Sequence, residues 1–318
     1  MKVLRSLERA RGGLRRPVVT IGNFDGVHRG HQVILGRVRS EADTRGTRAV
    51  VLTFDPHPVS VVRPDAGPAG IMLLKDRLDA LARERVDLAI VQHFSPAFAK
   101  IDADDFVRRF LVDILDAQLI LVGDDLNFGH DRGGSVATLK AAGARLDFDV
   151  EVVAPVEVGG VIVRSSVIRG LVAAGAVAAA GKLLGRPHFV RGRVEHGAGR
   201  GRGLGFATAN LKSQTPLVPG DGVYVTVARL GRRSIDSVTS IGSTPTFGGA
   251  ERVIEAHIFA ELGELYGKPL VLEFLERLRD QKKFETPAAL AEQIAIDVAR
   301  AREVLAAQRA SRRGATRP

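Results

Sequence analysis

The chain has 318 residues, no cysteine, 45% hydrophobic residues and a formal net charge of +10. That length suits two domains, or one large one, with a sizeable core, and the missing thiols exclude a disulfide framework and thiolate chemistry. Residues 2–16 carry +5 and residues 309–318 carry +4, so the body between them holds only +1 and makes a poor nucleic-acid footprint. The best apolar stretch, "LVAAGAVAAA" (171–180), is far shorter than the ~20 residues of a membrane span. The basic N-terminus lacks the apolar segment of a signal peptide, and a cytoplasmic location is expected.

In chain order, "PVVTIGNF", "RAVVLTF", "DLAIVQHF" and "QLILVGDD" read as buried strands. Between them, "HQVILGRVRSEAD" and "DADDFVRRFLVDIL" carry apolar residues at helical spacing. In the second, Phe106, Val107, Phe110, Leu111 and Ile114 make one stripe. Strand–helix alternation predicts a doubly wound, mainly parallel sheet, with ligands beyond the carboxyl ends of its strands. "SSVIRGLVAAGAVAAAGKLLG" then reads as helical. Near residue 185 the pattern changes to Gly/Arg-rich sequence and to strand-like runs with turns: "GVYVTVARLG", "SIDSVTSIGST", "VIEAHIFAEL" and "PLVLEFLERL". Val223, Val225 and Val227 alternate with Tyr224 and Thr226, which predicts a half-buried strand. This second region predicts a small antiparallel barrel. Thr286, with Pro287 behind it, caps a final helix whose apolar face holds Leu290, Ile294, Val298 and Leu305. We expect residues 1–184 and 185–308 to form two domains and 309–318 to be a disordered basic tail.

The stretch "GNFDGVHRGHQ" (22–32) directly follows the first strand. Unpaired N–H groups at a helix start, together with the helix dipole, favour an anion there. Gly22, Gly26 and Gly30 allow close backbone approach, and His28 and His31, three apart, share one helix face. The residues alone leave three readings open. One is phosphate binding, which the Gly-rich setting favours. Another is a pair of ordinary histidines. The third is a zinc pair, for which no further ligands are in view. Asp25 could serve Mg²⁺ or, as the more ordinary role, cap the helix. In the second region, "GAGRGRGLGF" (197–206) reads as a flexible basic loop over phosphates, or as a linker. Thr208 and Asn210 of "ATAN" offer hard oxygen ligands suited to Mg²⁺ on one side of an extended segment.

H-x-G-H after a first strand resembles the nucleotidyltransferase superfamily. The longer stretch is similar to the bacterial bifunctional riboflavin kinase/FMN adenylyltransferase (FAD synthetase) family. The resemblance recurs in order at "TFDPHP" (53–58), "VGDDLNFG" (122–129), "SSVIR" (165–169), "GRGLGFATANL" (201–211), "DGVYV" (221–225), "IGSTPTFGG" (241–249), "EAHIF" (255–259), "LYGKPL" (265–270) and "LRDQKKF" (278–284). It implies that riboflavin is phosphorylated to FMN in the second region and that FMN is adenylylated to FAD in the first. ATP and Mg²⁺ would serve both steps, and pyrophosphate would leave in the second.

By that resemblance, His28 and His31 act on the ATP phosphates, and the backbone at Gly22, Asn23 and Phe24 holds the nucleotide. Ser165, Ser166 and Arg169 form a β/γ-phosphate clamp. Phe54 walls the flavin or adenine, and Asp124 stands at a strand end beside a ligand. Gly203 belongs to the second ATP loop, Thr208 and Asn210 bind Mg-ATP, and Glu255 is the base. Glu255 and His257 fall on one strand face and Ala256 and Ile258 on the other.

The chain departs from the family pattern at Arg164 (serine), Ser166 (threonine), Leu126 (often phenylalanine), Ala207 (usually proline) and Thr244 (arginine). A lost proline typically costs ~0.4–1 kcal/mol, whereas a lost charged hydrogen bond costs ~1.5–3 kcal/mol. Thr244 therefore weighs most against full kinase activity, with Arg191, Arg193, Arg200 and Arg202 near enough in sequence to compensate. Two alternatives accompany the bifunctional reading: an FMN adenylyltransferase with a weak or inactive kinase module, and a flavin- or RNA-binding regulator.

Overall fold

The structure is a computed structural model that describes residues 1–196, 208–246, 249–260 and 262–314. The chain folds into two compact units, Met1–Ser165 and Ser166–Pro318.

The first unit is built on six parallel strands: β1 (Lys2–Leu4), β2 (Val18–Ile21), β3 (Ala49–Asp55), β4 (Leu88–His93), β5 (Leu119–Gly123) and β6 (Asp149–Val153). Their order is β1-β4-β3-β2-β5-β6. The four runs that read as strands are the four central ones. They are covered on both faces, so their side chains are almost continuously buried. The two edge strands carry no such signal. β1 is only three residues long, β6 sets Asp149 and Glu151 among its valines, and both are partly exposed, so neither shows the continuous apolar run that marks a buried parallel strand. Helix α1 (Arg29–Thr44) packs Val38 and Ala42 against Val18, Ala49, Leu119 and Leu121 on one face of the sheet. On the other face lie Phe106, Val107, Phe110, Leu111 and Ile114, all at most 4% exposed. Their helical segment is wound with i→i+5 hydrogen bonds over Phe106–Val112. Helix α2 (Leu74–Arg83) precedes β4, and α3 (Val136–Leu146) precedes β6. Strand β2 pairs with β3 on one side and β5 on the other. The chain therefore reverses its direction of travel across the sheet at β2, which puts a ligand crevice beyond the carboxyl end of that strand.

Helices α4 (Ser165–Ala173) and α5 (Val177–Leu184) occupy the stretch that reads as one helix. The break falls at Gly175, with φ +77°, where an added Cβ would lie 2.6 Å from the Tyr224 hydroxyl. The second unit then forms a closed antiparallel barrel from β7 (His188–Glu195), β8 (Thr208–Ser213), β9 (Gly222–Leu230), β10 (Arg233–Thr246), β11 (Gly249–Ile258) and β12 (Pro269–Arg279). The order among the described residues is β7-β8-β11-β10-β9-β12, closing back on β7. The barrel is filled by Val190, Val194, Leu211, Tyr224, Ile241, Leu272 and Phe274. β7 lies in the segment that reads only as Gly/Arg-rich: its inward residues His188, Val190, Gly192 and Val194 alternate with Phe189, Arg191, Arg193 and Glu195.

Strand β9 is buried on both faces rather than on one. Tyr224 and Ala228 face the barrel core, while Val223 and Val225 pack with Ala301 and Leu305 of the terminal helix α6 (Pro287–Gly314). The Thr286 hydroxyl accepts from the Ala289 N–H at 3.2 Å, as an N-cap does. On its apolar face Leu305 is buried, and Leu290, Ile294 and Val298 are half-buried. α6 continues to Gly314, and Arg309 is helical and pairs with Asp236, so the expectation of disorder is corrected for residues 309–314, while residues 315–318 lie outside the described residues.

Candidate functional site

The turn after β2 is tightly constrained. The Gly22 N–H donates to the Leu52 carbonyl at 3.1 Å, and Phe24, Gly26 and Val27 all have positive φ, at +50°, +87° and +38°. For Phe24 and for β-branched Val27 this is a strained conformation, which persists only where the surroundings enforce it. Both are 1% exposed. His28 is the N-cap of α1, and its Nδ1 accepts the His31 N–H at 3.3 Å. The His28 and His31 rings stack with centroids 3.6 Å apart, and His31 also meets the Phe24 ring at 5.0 Å. Gln32 Nε2 donates to the Val27 carbonyl at 2.9 Å. Because Nδ1 accepts a backbone N–H, the neutral His28 carries its proton on Nε2 and is a donor there.

Further contacts hold this turn from behind. Asp25 is not the N-cap, a place that His28 takes, and it joins no cluster of metal ligands among the described residues. It is 6% exposed, and its carboxylate accepts the Ile71 N–H at 3.0 and 3.1 Å. Its carbonyl accepts the Ser165 hydroxyl at 2.9 Å, which joins the start of α4 to the turn. Arg77, 7% exposed, donates to the carbonyls of Asn23 at 2.7 Å and Phe54 at 2.9 Å. Burial pushes its pKa down, with the Asp55 and Asp25 carboxylates acting in the opposite sense. The Thr53 hydroxyl donates to the same Asn23 carbonyl at 3.1 Å. The His57 ring meets the Asn23 carboxamide at 3.2 Å.

Within the first unit, Gly22, Asn23, Phe24, His28, His31 and Ser165 therefore come together. Phe54 is different: it is 9% exposed and packs into a phenylalanine cluster with Phe94 and Phe98. Asp124 is exposed directly after β5. Ser166 stands on the first turn of α4 and Arg169 on the second, beyond the division of the chain. Sequence reasoning misses Arg77, Thr53 and His57. Among the described residues, no group of three or more His, Cys, Asp or Glu side chains converges as a metal cluster, so the zinc reading of the histidine pair has no further ligands.

In the barrel, Thr208 faces His257, and Asn210 faces Glu255, across the β8–β11 ladder. Their neighbours Ala209, Leu211, Ala256 and Ile258 point into the core, so Thr208, Asn210, Glu255 and His257 share the outer face. The Thr208 hydroxyl donates to Glu255 Oε1 at 3.3 Å. Gly203, Ala207, Arg200 and Arg202 lie outside the described residues. Arg193 donates to the Gly267 carbonyl at 2.7 Å.

A family model described as FAD synthetase matches residues 12–167, and one described as riboflavin kinase matches residues 184–305. The chain is 39% identical over 307 residues to the bifunctional riboflavin kinase/FMN adenylyltransferase of Pseudomonas fluorescens, covering 96% of this chain and 98% of that one. It is 36% identical over 287 residues to the protein of the same description in Escherichia coli K12, covering 90% and 92%. The chain belongs to the bifunctional riboflavin kinase/FMN adenylyltransferase family. As a member of that family it converts riboflavin to FMN and FMN to FAD, with ATP as co-substrate of both steps. A crystal structure described as a macrolide-efflux protein from Streptococcus pneumoniae shares the α/β-plus-barrel fold, with TM-score 0.85 and 32% identity over 94% of this chain and 98% of that one. Among the described residues no helix is long and apolar enough to cross a membrane.

Proposed function

We infer that the two reactions divide along the chain, adenylyl transfer in residues 1–184 and riboflavin phosphorylation in residues 185–308. In the first, the backbone at Gly22, Asn23 and Phe24 and the N-terminus of α1 hold ATP. His28 and His31 donate to its phosphates, and Ser165, Ser166 and Arg169 clamp the β and γ groups. An FMN phosphate oxygen attacks the α-phosphorus and pyrophosphate leaves. The work of the protein is positioning and charge stabilisation. Phe54 supports the flavin side through the rings it packs on, and Asp124 flanks the crevice at the end of β5.

In the barrel, Glu255 takes the proton of the riboflavin 5′-hydroxyl as that oxygen attacks the γ-phosphorus, and ADP leaves. Gly203 belongs to the loop that covers the ATP phosphates. Thr208 and Asn210 offer oxygen donors beside a carboxylate, a set that fits Mg²⁺. Bound there with ATP, Mg²⁺ would neutralise phosphate charge. The dependence of both steps on ATP fits a cytoplasmic location.

The observation that carries this reading is the shared outer face of Thr208, Asn210 and Glu255, with the Thr208–Glu255 contact at 3.3 Å. The test supplies riboflavin and Mg-ATP without FMN to the wild type and to Glu255→Gln. The wild type should make FMN and then FAD. Glu255→Gln should lose about 10²–10⁴-fold in FMN formation, the range of general-base contributions, and still adenylylate supplied FMN. Equal loss of both activities would remove Glu255 from the chemistry. A wild type that turns supplied FMN into FAD but makes no FMN would favour the inactive-kinase alternative.

A further inference from the structure

A trans peptide is planar, so its C=O and N–H point in opposite directions. The Asn23 carbonyl is turned inward onto two donors, Arg77 Nη1 at 2.7 Å and Thr53 Oγ1 at 3.1 Å. The next N–H, that of Phe24, is therefore directed away from Arg77. Phe24 itself sits at φ +50°, on the unfavourable side for an L residue. Rotating the Asn23–Phe24 peptide by half a turn would bring φ of Phe24 into the ordinary negative range. It would also swap the two polar groups, presenting a carbonyl oxygen where the N–H had been. The intrinsic preference of the backbone thus opposes the observed orientation, and the two donors oppose the flip. Arg77 is suited to this task. It lies on α2, the residue is 7% exposed, and its second donor is fixed on the Phe54 carbonyl at 2.9 Å. Rotating the peptide would leave a buried cation without one of its acceptors.

We propose that Arg77, assisted by Thr53, is a positioning residue for adenylyl transfer: it locks the Asn23–Phe24 peptide so that an N–H, not a carbonyl oxygen, faces the ATP phosphates. This rests on the assignment of the 22–24 backbone to ATP. Neither side chain needs to touch substrate. Release of the lock turns a hydrogen-bond donor into a partial negative charge beside a polyphosphate, so the defect falls on ATP and not on the flavin.

The test is steady-state kinetics of FAD formation from FMN and Mg-ATP with full-length Thr53→Val and Arg77→Lys. Thr53→Val is nearly isosteric and removes one neutral donor. Arg77→Lys keeps the charge and loses the two-pronged grip. KM for ATP should rise about three- to tenfold in the first and about tenfold or more in the second, from the usual strengths of neutral and charged hydrogen bonds. KM for FMN should stay within about twofold, as should riboflavin phosphorylation in the same preparations. Unchanged KM for ATP in both variants overturns the proposal. So does a parallel rise of KM for ATP and FMN, which would mean general loosening of the unit. His28→Ala with His31→Ala is assayed alongside. Persistent FAD formation in that variant breaks the assignment of the turn to ATP. A dead histidine variant beside unchanged KM for ATP in both Thr53→Val and Arg77→Lys breaks only the peptide lock.

Discussion

His28 does two things in this structure, and one substitution separates them. Its Nδ1 caps α1 by accepting the His31 N–H at 3.3 Å, and its ring, 6% exposed and stacked on His31 at 3.6 Å, carries the Nε2 donor that the proposed phosphate role requires. His28→Ala removes both functions. Loss of a side-chain cap costs about 1 kcal/mol, which lowers Tm by about 2–4 °C in a unit of this size. His28→Asn restores a good cap acceptor for the N3 amide but carries no imidazole. It should therefore melt within about 1 °C of the wild type, since replacing one strong cap by another costs only a few tenths of a kcal/mol. Removing one donor aimed at developing phosphate charge costs about 10²–10³ in rate. Both variants should lose FAD formation by that factor, although only the alanine loses stability. The assay follows conversion of FMN to FAD by the fall in flavin fluorescence, with calorimetry on the same samples. If His28→Asn makes FAD within about threefold of the wild type, the imidazole is a helix cap and nothing more, and the charge-stabilising role is wrong.

Two stability predictions follow from the barrel. His188 is 2% exposed, its Nε2 donates to the Leu217 carbonyl at 3.1 Å, and burial pushes its pKa down to about 4. The unfolded chain takes up this proton near its ordinary value, whereas the folded chain does not do so until about pH 4, so stability falls as pH drops from about 6.5 to about 4. The loss approaches about 3 kcal/mol. Urea melts across that window should show the slope, and His188→Gln should flatten it; an equal slope in the variant assigns it elsewhere. Arg279 grips Asp297 of α6 with contacts of 2.9, 3.2 and 2.7 Å, and Asp297 is 6% exposed. Arg279→Ala leaves that carboxylate buried without its cation, beside Gln293 at 3.0 Å. Breaking a buried pair in this way costs about 3–5 kcal/mol, and limited proteolysis should release α6 first. Wild-type resistance to protease would show that the apolar contacts of Ala301 and Leu305 suffice to hold it.

What is legible in the sequence follows from burial. Strands covered on both sides of a parallel sheet must be apolar throughout, and β2 to β5 announce themselves that way. Edge strands β1 and β6 need no such run, and β7 hides its inward alternation behind His188, Arg191 and Arg193. The histidine turn is legible because its chemistry sits in adjacent residues. The groups that hold it are not. Arg77 comes from a helix over fifty positions away and reaches two main-chain carbonyls, which carry no residue-type signal at all. One local hint exists. Asp76 and Arg77 lie on the same face of α2 as buried Ala80 and Leu81, and two charges on an apolar face ask for partners. The packing of Phe54 is likewise not local: a phenylalanine beside a Pro-rich loop stands on a central strand, and its ring packs on Phe94 and Phe98 from forty positions or more away.

The two units also solve the placement of chemistry differently, and their folds require it. An open parallel sheet gathers strand ends and helix N-termini at one edge, so the first site is largely backbone: a strained turn, a capped helix and the amides between them. The barrel has no comparable edge, and Tyr224, Phe274 and their neighbours fill its inside. The polar residues of the candidate site alternate outward, at 208 and 210 on one strand and 255 and 257 on the next. A site made of side chains on a ladder is sensitive to single replacements in a way that a backbone turn is not. On the proposed division of the two reactions, single replacements on the 208/210 and 255/257 faces should therefore act on the kinase step, whereas the proposed adenylyl site should respond to residues such as Arg77 that hold a peptide in place.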